Sequence, residues 1–300
     1  MFDRNKKYIF DGGMGQALLD KGLKPEGTLW SATALIYENF HQLVVDTHLD
    51  FINAGAQLIV SNNFGVRKRR FAQNNKSDYF EIANKNAGLL AQKARDLSNK
   101  KVLVAGSLPT HGNTYQPDFF ASDEEVSDIF FETAKTLNPY VDLFYLDVMS
   151  STKEIVIACE AIKEFGKPVL IGLYFNDNIC LTSGDTIENV AEKIKNYNCC
   201  GIIAACTSPE TADLVLPEFK KTHLPYGFKI NAFENIPSDF VINEVSSTNP
   251  VKALGTRKDS DFTPSIFKTY VEKAASQGAS LLGGCCEITP KHISSLNKIL

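Results

Sequence analysis

Eight short apolar runs alternate with amphipathic helical segments from one end of this chain to the other. The runs cover residues 8–11, 57–61, 101–106, 141–147, 168–174, 201–205, 226–231 and 280–283. Many are apolar at consecutive positions, which is the pattern of parallel strands covered on both faces. The segments between them carry helix start signals. Ser122 with Glu125, Ser151 with Glu154 and Asp185 with Glu188 read as capping boxes. Ser208-Pro209, Thr263-Pro264 and Thr289-Pro290 each pair a cap with a proline at the first helical position. Phe40, Leu43, Val44, Phe51 and Ala54 give one more apolar stripe, closed by Gly55. Eight strand–helix alternations in 300 residues predict an α/β chain, a (β/α)8 TIM barrel in one domain over residues 1–300. A dinucleotide-binding sheet is disfavoured, because Gly12-Gly13-Met14-Gly15 does not match Gly-x-Gly-x-x-Gly. The stretch from about 232 to 262 has no strong periodicity and is broken by Pro237, Pro250 and Gly255. It is expected to form a long loop covering the site.

In such a barrel the C-terminal ends of all strands open onto one face. Cys206, Cys285 and Cys286 then converge there, and the same face receives Asp11, Asn62, Ser107, Asp147 and Asn231. Cys285 and Cys286 are adjacent, so they do not readily close a disulfide with each other. They can give two thiolates to one metal, and soft sulfur favours zinc. Cys206 supplies a third ligand, which leaves the fourth position open, as in a catalytic site. Gly283 and Gly284, just before the pair, are expected to let the backbone approach a ligand closely.

The remaining cysteines read as bystanders. Cys199-Cys200 is placed before the sixth run, Cys159 on an apolar helix face, and Cys180 in a loop. His41, His48, His111, His223 and His292 form no ligand-spaced cluster. Phe64, Tyr115 and Tyr174 are candidates to cage a cationic donor, with packing as the simpler role. A net charge of −4 and pI ≈ 5.8 argue against a nucleic-acid or anionic-membrane surface. The basic run Arg67-Lys68-Arg69-Arg70 reads as a solvated helix start. No run approaches the roughly 20 apolar residues of a membrane span. The first residues lack a signal-peptide core, so seven cysteines suggest a reducing cytoplasm.

Several motifs together resemble the zinc-dependent homocysteine S-methyltransferases. They are Asp11-Gly12-Gly13-Met14-Gly15, Leu29-Trp30-Ser31-Ala32, the block from His48 to Ala56, Ser61-Asn62-Asn63-Phe64, Gly106-Ser107, and the closing Gly283-Gly284-Cys285-Cys286. The resemblance implies zinc thiolates at Cys206, Cys285 and Cys286, and a homocysteine pocket lined by Asp11 and Gly12. It also implies that Asp147, where the family has Glu, helps hold the substrate's ammonium group. Ala205 stands where the family has Asn before the first zinc cysteine, and the late Pro-Asn-Ala-Gly-Glu block is altered to Ile230-Asn231-Ala232-Phe233-Glu234. The short chain points to S-methylmethionine as methyl donor, with betaine, a corrinoid protein, or a non-catalytic barrel as alternatives. Small-molecule partners and a monomer are expected.

Overall fold

The strands run β1 (Tyr8–Ile9), β2 (Leu58–Val60), β3 (Leu103–Pro109), β4 (Leu143–Met149), β5 (Val169–Leu173), β6 (Cys199–Thr207), β7 (Tyr226–Ile230) and β8 (Leu281–Gly284). The computed structural model describes residues 1–118, 121–237, 240, 252–257 and 262–297. The eight strands form one parallel sheet in the order β1-β8-β7-β6-β5-β4-β3-β2. A bridge between Phe10 and Leu58 joins β1 to β2, and the Asp11 amide donates to the Leu58 carbonyl at 3.0 Å. The sheet therefore curls into the expected (β/α)8 barrel.

Both faces of the strands are buried, for different reasons. On β4, Leu143 and Tyr145 point into the barrel with Phe10, Leu170, Ile203 and Leu281. Phe144 and Leu146 point outward into the layer beneath the helices. That double burial removes the polar alternation that would mark a half-exposed strand.

Most helix starts fall where their caps place them. The Ser122 side chain accepts from the Glu125 amide in a full capping box that opens Asp123–Leu137. Ser208 caps Pro209–Lys221, Thr263 caps Pro264–Ser276, and Gly55 closes His41–Ala54 at φ 116. Two boxes differ from expectation. Thr186, not Asp185, caps Ile187–Ile194, while Asp185 accepts from the Thr152 amide at 2.9 Å. Ser151 does cap Thr152–Ile162, but the Glu154 carboxylate turns away to Thr110 Oγ1 at 2.8 Å and to the His111 amide. A buried carboxylate with two better donors has no reason to return to its own N-cap.

Cys199 and Cys200 open β6 rather than preceding it. Much of the stretch from 232 to 262 lies outside the described residues. Its described parts sit at the barrel mouth. Phe233 bridges Thr256, and Ile236 and Leu254 are buried with the interior apolar cluster. Among the described residues no helix is long and apolar enough to cross a membrane.

Candidate metal centre

Three sulfur atoms meet at the C-terminal mouth of the barrel. Cys206 comes from the last residues of β6, and Cys285 and Cys286 follow directly on β8. Their Sγ atoms all lie within 4.8 Å of one another, with Cys206 and Cys286 3.7 Å apart. Metal–sulfur bonds of about 2.3 Å in a tetrahedron put sulfurs about 3.8 Å apart, so the triad has the spacing of a three-sulfur metal site. Among the described residues no other group of potential metal ligands gathers in this way.

The backbone does unusual work to aim these groups. Strict alternation would send Cys206 outward, because Ala205 already faces the interior cluster. Instead, the register shifts between Ala205 and Thr207, and Cys206 adopts φ 52. This bulge turns both residues toward the barrel axis. β4 repeats the device, with a register shift between Leu146 and Met149 and φ 64 at Val148. Trp30 at φ 51 and Tyr115 at φ 76 line the same cavity as Val148 and Cys206. Left-handed non-glycine residues cost about 1–3 kcal/mol each, so their clustering here marks a place where geometry is held against local preference.

The glycines let neighbouring backbone pack closely. A Cβ at Gly283 would lie 2.6 Å from the Phe10 Cβ, and one at Gly284 2.2 Å from Ile288 Cγ2. A Cβ at Gly12 would lie 2.1 Å from the Ile288 carbonyl oxygen, and one at Gly13 2.9 Å from that of Cys285. The first-strand loop and the cysteine loop thus interlock through three missing side chains, at Gly12, Gly13 and Gly283, while Gly284 lets the cysteine loop fold back on its own Ile288.

The thiols are electrically unequal. Hydrogen bonds shared with the Cys285 and Cys286 thiols, and with the Tyr115 hydroxyl at 3.3 Å, hold the Cys206 thiol well below its usual range against the cost of burial. Cys285 and Cys286 are pushed up, first by their hydrogen bonds to Cys206. One sulfur therefore carries charge easily, and a divalent cation would allow the others to do so as well.

Asp11, Gly12, Asn62 and Asp147 line the cavity beside the three cysteines. Ser107 and Asn231 do not; they stand behind it. Ser107 Oγ donates to Asp147 Oδ2 at 2.8 Å, and Asn231 Nδ2 donates to the Cys206 carbonyl at 2.7 Å. Burial pushes the Asp147 carboxyl up to about 7, with Ser107 and the Lys229 charge pulling the other way. Phe64 and Tyr115 line this cavity, while Tyr174 lines a neighbouring one and packs against Tyr115 with ring centroids 4.5 Å apart and planes tilted by 40°.

Three basic side chains differ from or escape the sequence reading. Arg67 and Arg70 are buried rather than solvated. Arg67 donates to the Gly112 carbonyl and to Thr114 Oγ1, and Arg70 lines the cavity. Lys229 is buried inside the barrel against Asp11. Its signal was visible as a lone lysine in an otherwise apolar run, Tyr226-Gly227-Phe228-Lys229-Ile230.

The family profile described as homocysteine S-methyltransferase matches residues 8–300. A selenocysteine methyltransferase of Astragalus bisulcatus is 26% identical over 332 residues, spanning 97% of this chain and 92% of the relative. Homocysteine S-methyltransferase 2 of Arabidopsis thaliana is 28% identical over 330 residues, with 97% and 92% covered. In fold, the chain is similar to the metallated form of the homocysteine methyltransferase MmuM from Escherichia coli, with TM-score 0.80, 21% identity, and 98% and 96% of the two chains covered.

Proposed function

This chain belongs to the homocysteine S-methyltransferase family, and from that premise we propose that it moves a methyl group from S-methylmethionine to the thiol of homocysteine at a zinc ion held by Cys206, Cys285 and Cys286. The observation that carries this reading is the convergence of three sulfurs, within 4.8 Å of one another, on one cavity that also holds Asp147. When bound, zinc supplies the Lewis acidity that keeps a thiol deprotonated at neutral pH.

The chain's own groups do the rest. Asp147, fixed by Ser107, offers a buried carboxylate to the acceptor's ammonium. Tyr115 hydrogen-bonds Cys206 and places an aromatic face beside it, where a cationic donor is attracted. The lining side chains Asp147, Tyr115 and Cys206 are themselves buried, and the lower local dielectric strengthens both interactions. The transfer is a displacement at the methyl carbon. The acceptor sulfur forms the new carbon–sulfur bond as the old one breaks, the bonding pair stays on the donor sulfur, and the thiol proton is lost to water. A sulfonium leaves as a neutral thioether, which favours S-methylmethionine.

The test is methionine formation by zinc-loaded protein from homocysteine with S-methylmethionine, betaine or a methylated corrinoid protein. S-methylmethionine alone should suffice. Turnover only with betaine or the corrinoid protein would overturn the donor, and no methionine from any donor with zinc bound would overturn the catalytic reading.

A further inference from the structure

Asp11 does not stand in this cavity as a free carboxylate. It is 1% exposed, Oδ2 accepts the Val60 amide at 2.7 Å, and Oδ1 accepts the Lys229 ammonium. Lys229 also reaches the Asp11 carbonyl at 3.4 Å. The two residues come from β7 and the end of β1, with β8 between them. The register partner of Lys229 on β8 is Gly283, which sets no side chain between them. A lysine ammonium has three donors, and Asp11 accounts for at most two of them. Lys229 lines the same cavity as the cysteines, and its charge is felt at Asp147.

The charge arithmetic then separates the two acidic residues. Asp11 and Lys229 together are neutral, and both carboxylate oxygens of Asp11 are already used. Asp147 is left as the acid whose charge has no lysine or arginine bonded to it, since its described side-chain partners are the neutral Ser107 and Tyr145 hydroxyls. An α-amino acid brings one positive and one negative group into such a cavity.

We propose that Lys229 is the residue that selects for the acceptor's carboxylate, and that Asp147 rather than Asp11 takes its ammonium. Asp11 is a positioning residue, holding the buried lysine in place through an ion pair that neither partner could keep alone. The proposal rests on reading the cavity as the acceptor's seat, and it specifies an amino-acid acceptor over a simple thiol or aminothiol.

Binding, rather than turnover, tests it directly. The probes are methionine, 3-(methylthio)propylamine, which lacks the carboxylate, and 4-(methylthio)butanoate, which lacks the ammonium, titrated calorimetrically into the zinc-loaded protein. The parent should prefer methionine over each truncated probe by about 10- to 100-fold. Lys229→Gln should lose the preference for the carboxylate and keep that for the ammonium; Asp147→Asn should do the reverse. Because Lys229→Gln strands a buried carboxylate, the paired Asp11→Asn/Lys229→Gln variant, neutral on both sides, is the folding control and should show the same loss. Asp11→Asn alone should keep the ammonium preference. An ammonium preference lost in Asp11→Asn, or a carboxylate preference unchanged in the paired variant, would overturn the assignment; the latter would move the carboxylate to Arg70. Methyl transfer to homocysteine with those contrary preferences would sink this inference alone. Neither methyl transfer nor methionine binding in the parent would sink the acceptor reading beneath it.

Discussion

The Tyr115 hydroxyl lies 3.3 Å from the Cys206 sulfur, on a residue held at φ 76 with its ring against Tyr174. If Cys206 holds the proposed zinc, this strained, buried tyrosine, hydrogen-bonded to the Cys206 sulfur, fixes that ligand's direction and tempers its charge. Partners of this kind are commonly worth about 10- to 100-fold in metal affinity. Tyr115→Phe should therefore keep one zinc per chain at saturation but weaken zinc affinity by about that factor in a chelator competition. Unchanged affinity would leave the contact as packing.

Ser107 and Asp147 form the other supporting contact. Removing one hydrogen bond to a charged group costs about 1.5–3 kcal/mol, which is roughly tenfold or more in affinity. Ser107→Ala should raise the KM for homocysteine by about that much with little change in zinc content. Asp147→Ala should raise it further, again without metal loss. A parallel loss of zinc in either variant would place these residues in the metal site instead.

Acid should weaken acceptor recognition. The Asp147 carboxyl is raised to about 7, so below that pH it gains a proton and loses the charge that pairs with an ammonium. Methionine affinity should fall about tenfold per pH unit below about 7 and level off above it. Asp147→Asn should flatten that profile, measured by calorimetry.

His48 makes a stability prediction that is independent of the site. It is fully buried, neither ring nitrogen has a hydrogen-bond partner, and burial lowers its pKa from 6.5 to about 3. The folded pKa is depressed, so the neutral ring supports the fold fully above pH 6.5, and that support is lost as pH falls toward 3. The slope from this residue is about 1.4 kcal/mol per pH unit. Denaturant titrations of His48→Leu should show a shallower acid limb than the parent; identical limbs would contradict the assignment.

The sequence carried the fold because covered parallel strands leave unbroken apolar runs, and the caps Ser122, Ser208 and Thr263 sit next to them. The cysteine triad was legible for the same reason, since each thiol ends a run. What escaped was geometry without a residue-type signature. The bulges at Cys206 and Val148 carry no glycine to mark them. Arg67 and Arg70 looked solvated beside Lys68 and Arg69, because a run of like charges does not reveal which members turn inward. The Asp11–Lys229 pair has no local signature either, because only the barrel's closure brings the two, 218 residues apart in the chain, together.

The central claim is that Cys206, Cys285 and Cys286 hold one zinc on which methyl transfer depends. The most direct measurement is metal content by plasma mass spectrometry on the parent and on single Cys→Ala variants, paired with methionine formation from the same samples. The account predicts one zinc per chain in the parent, with zinc and activity lost together in Cys206→Ala, Cys285→Ala and Cys286→Ala and both retained in Cys200→Ala. Full zinc content in Cys206→Ala and Cys285→Ala, or loss of zinc in Cys200→Ala, would contradict it.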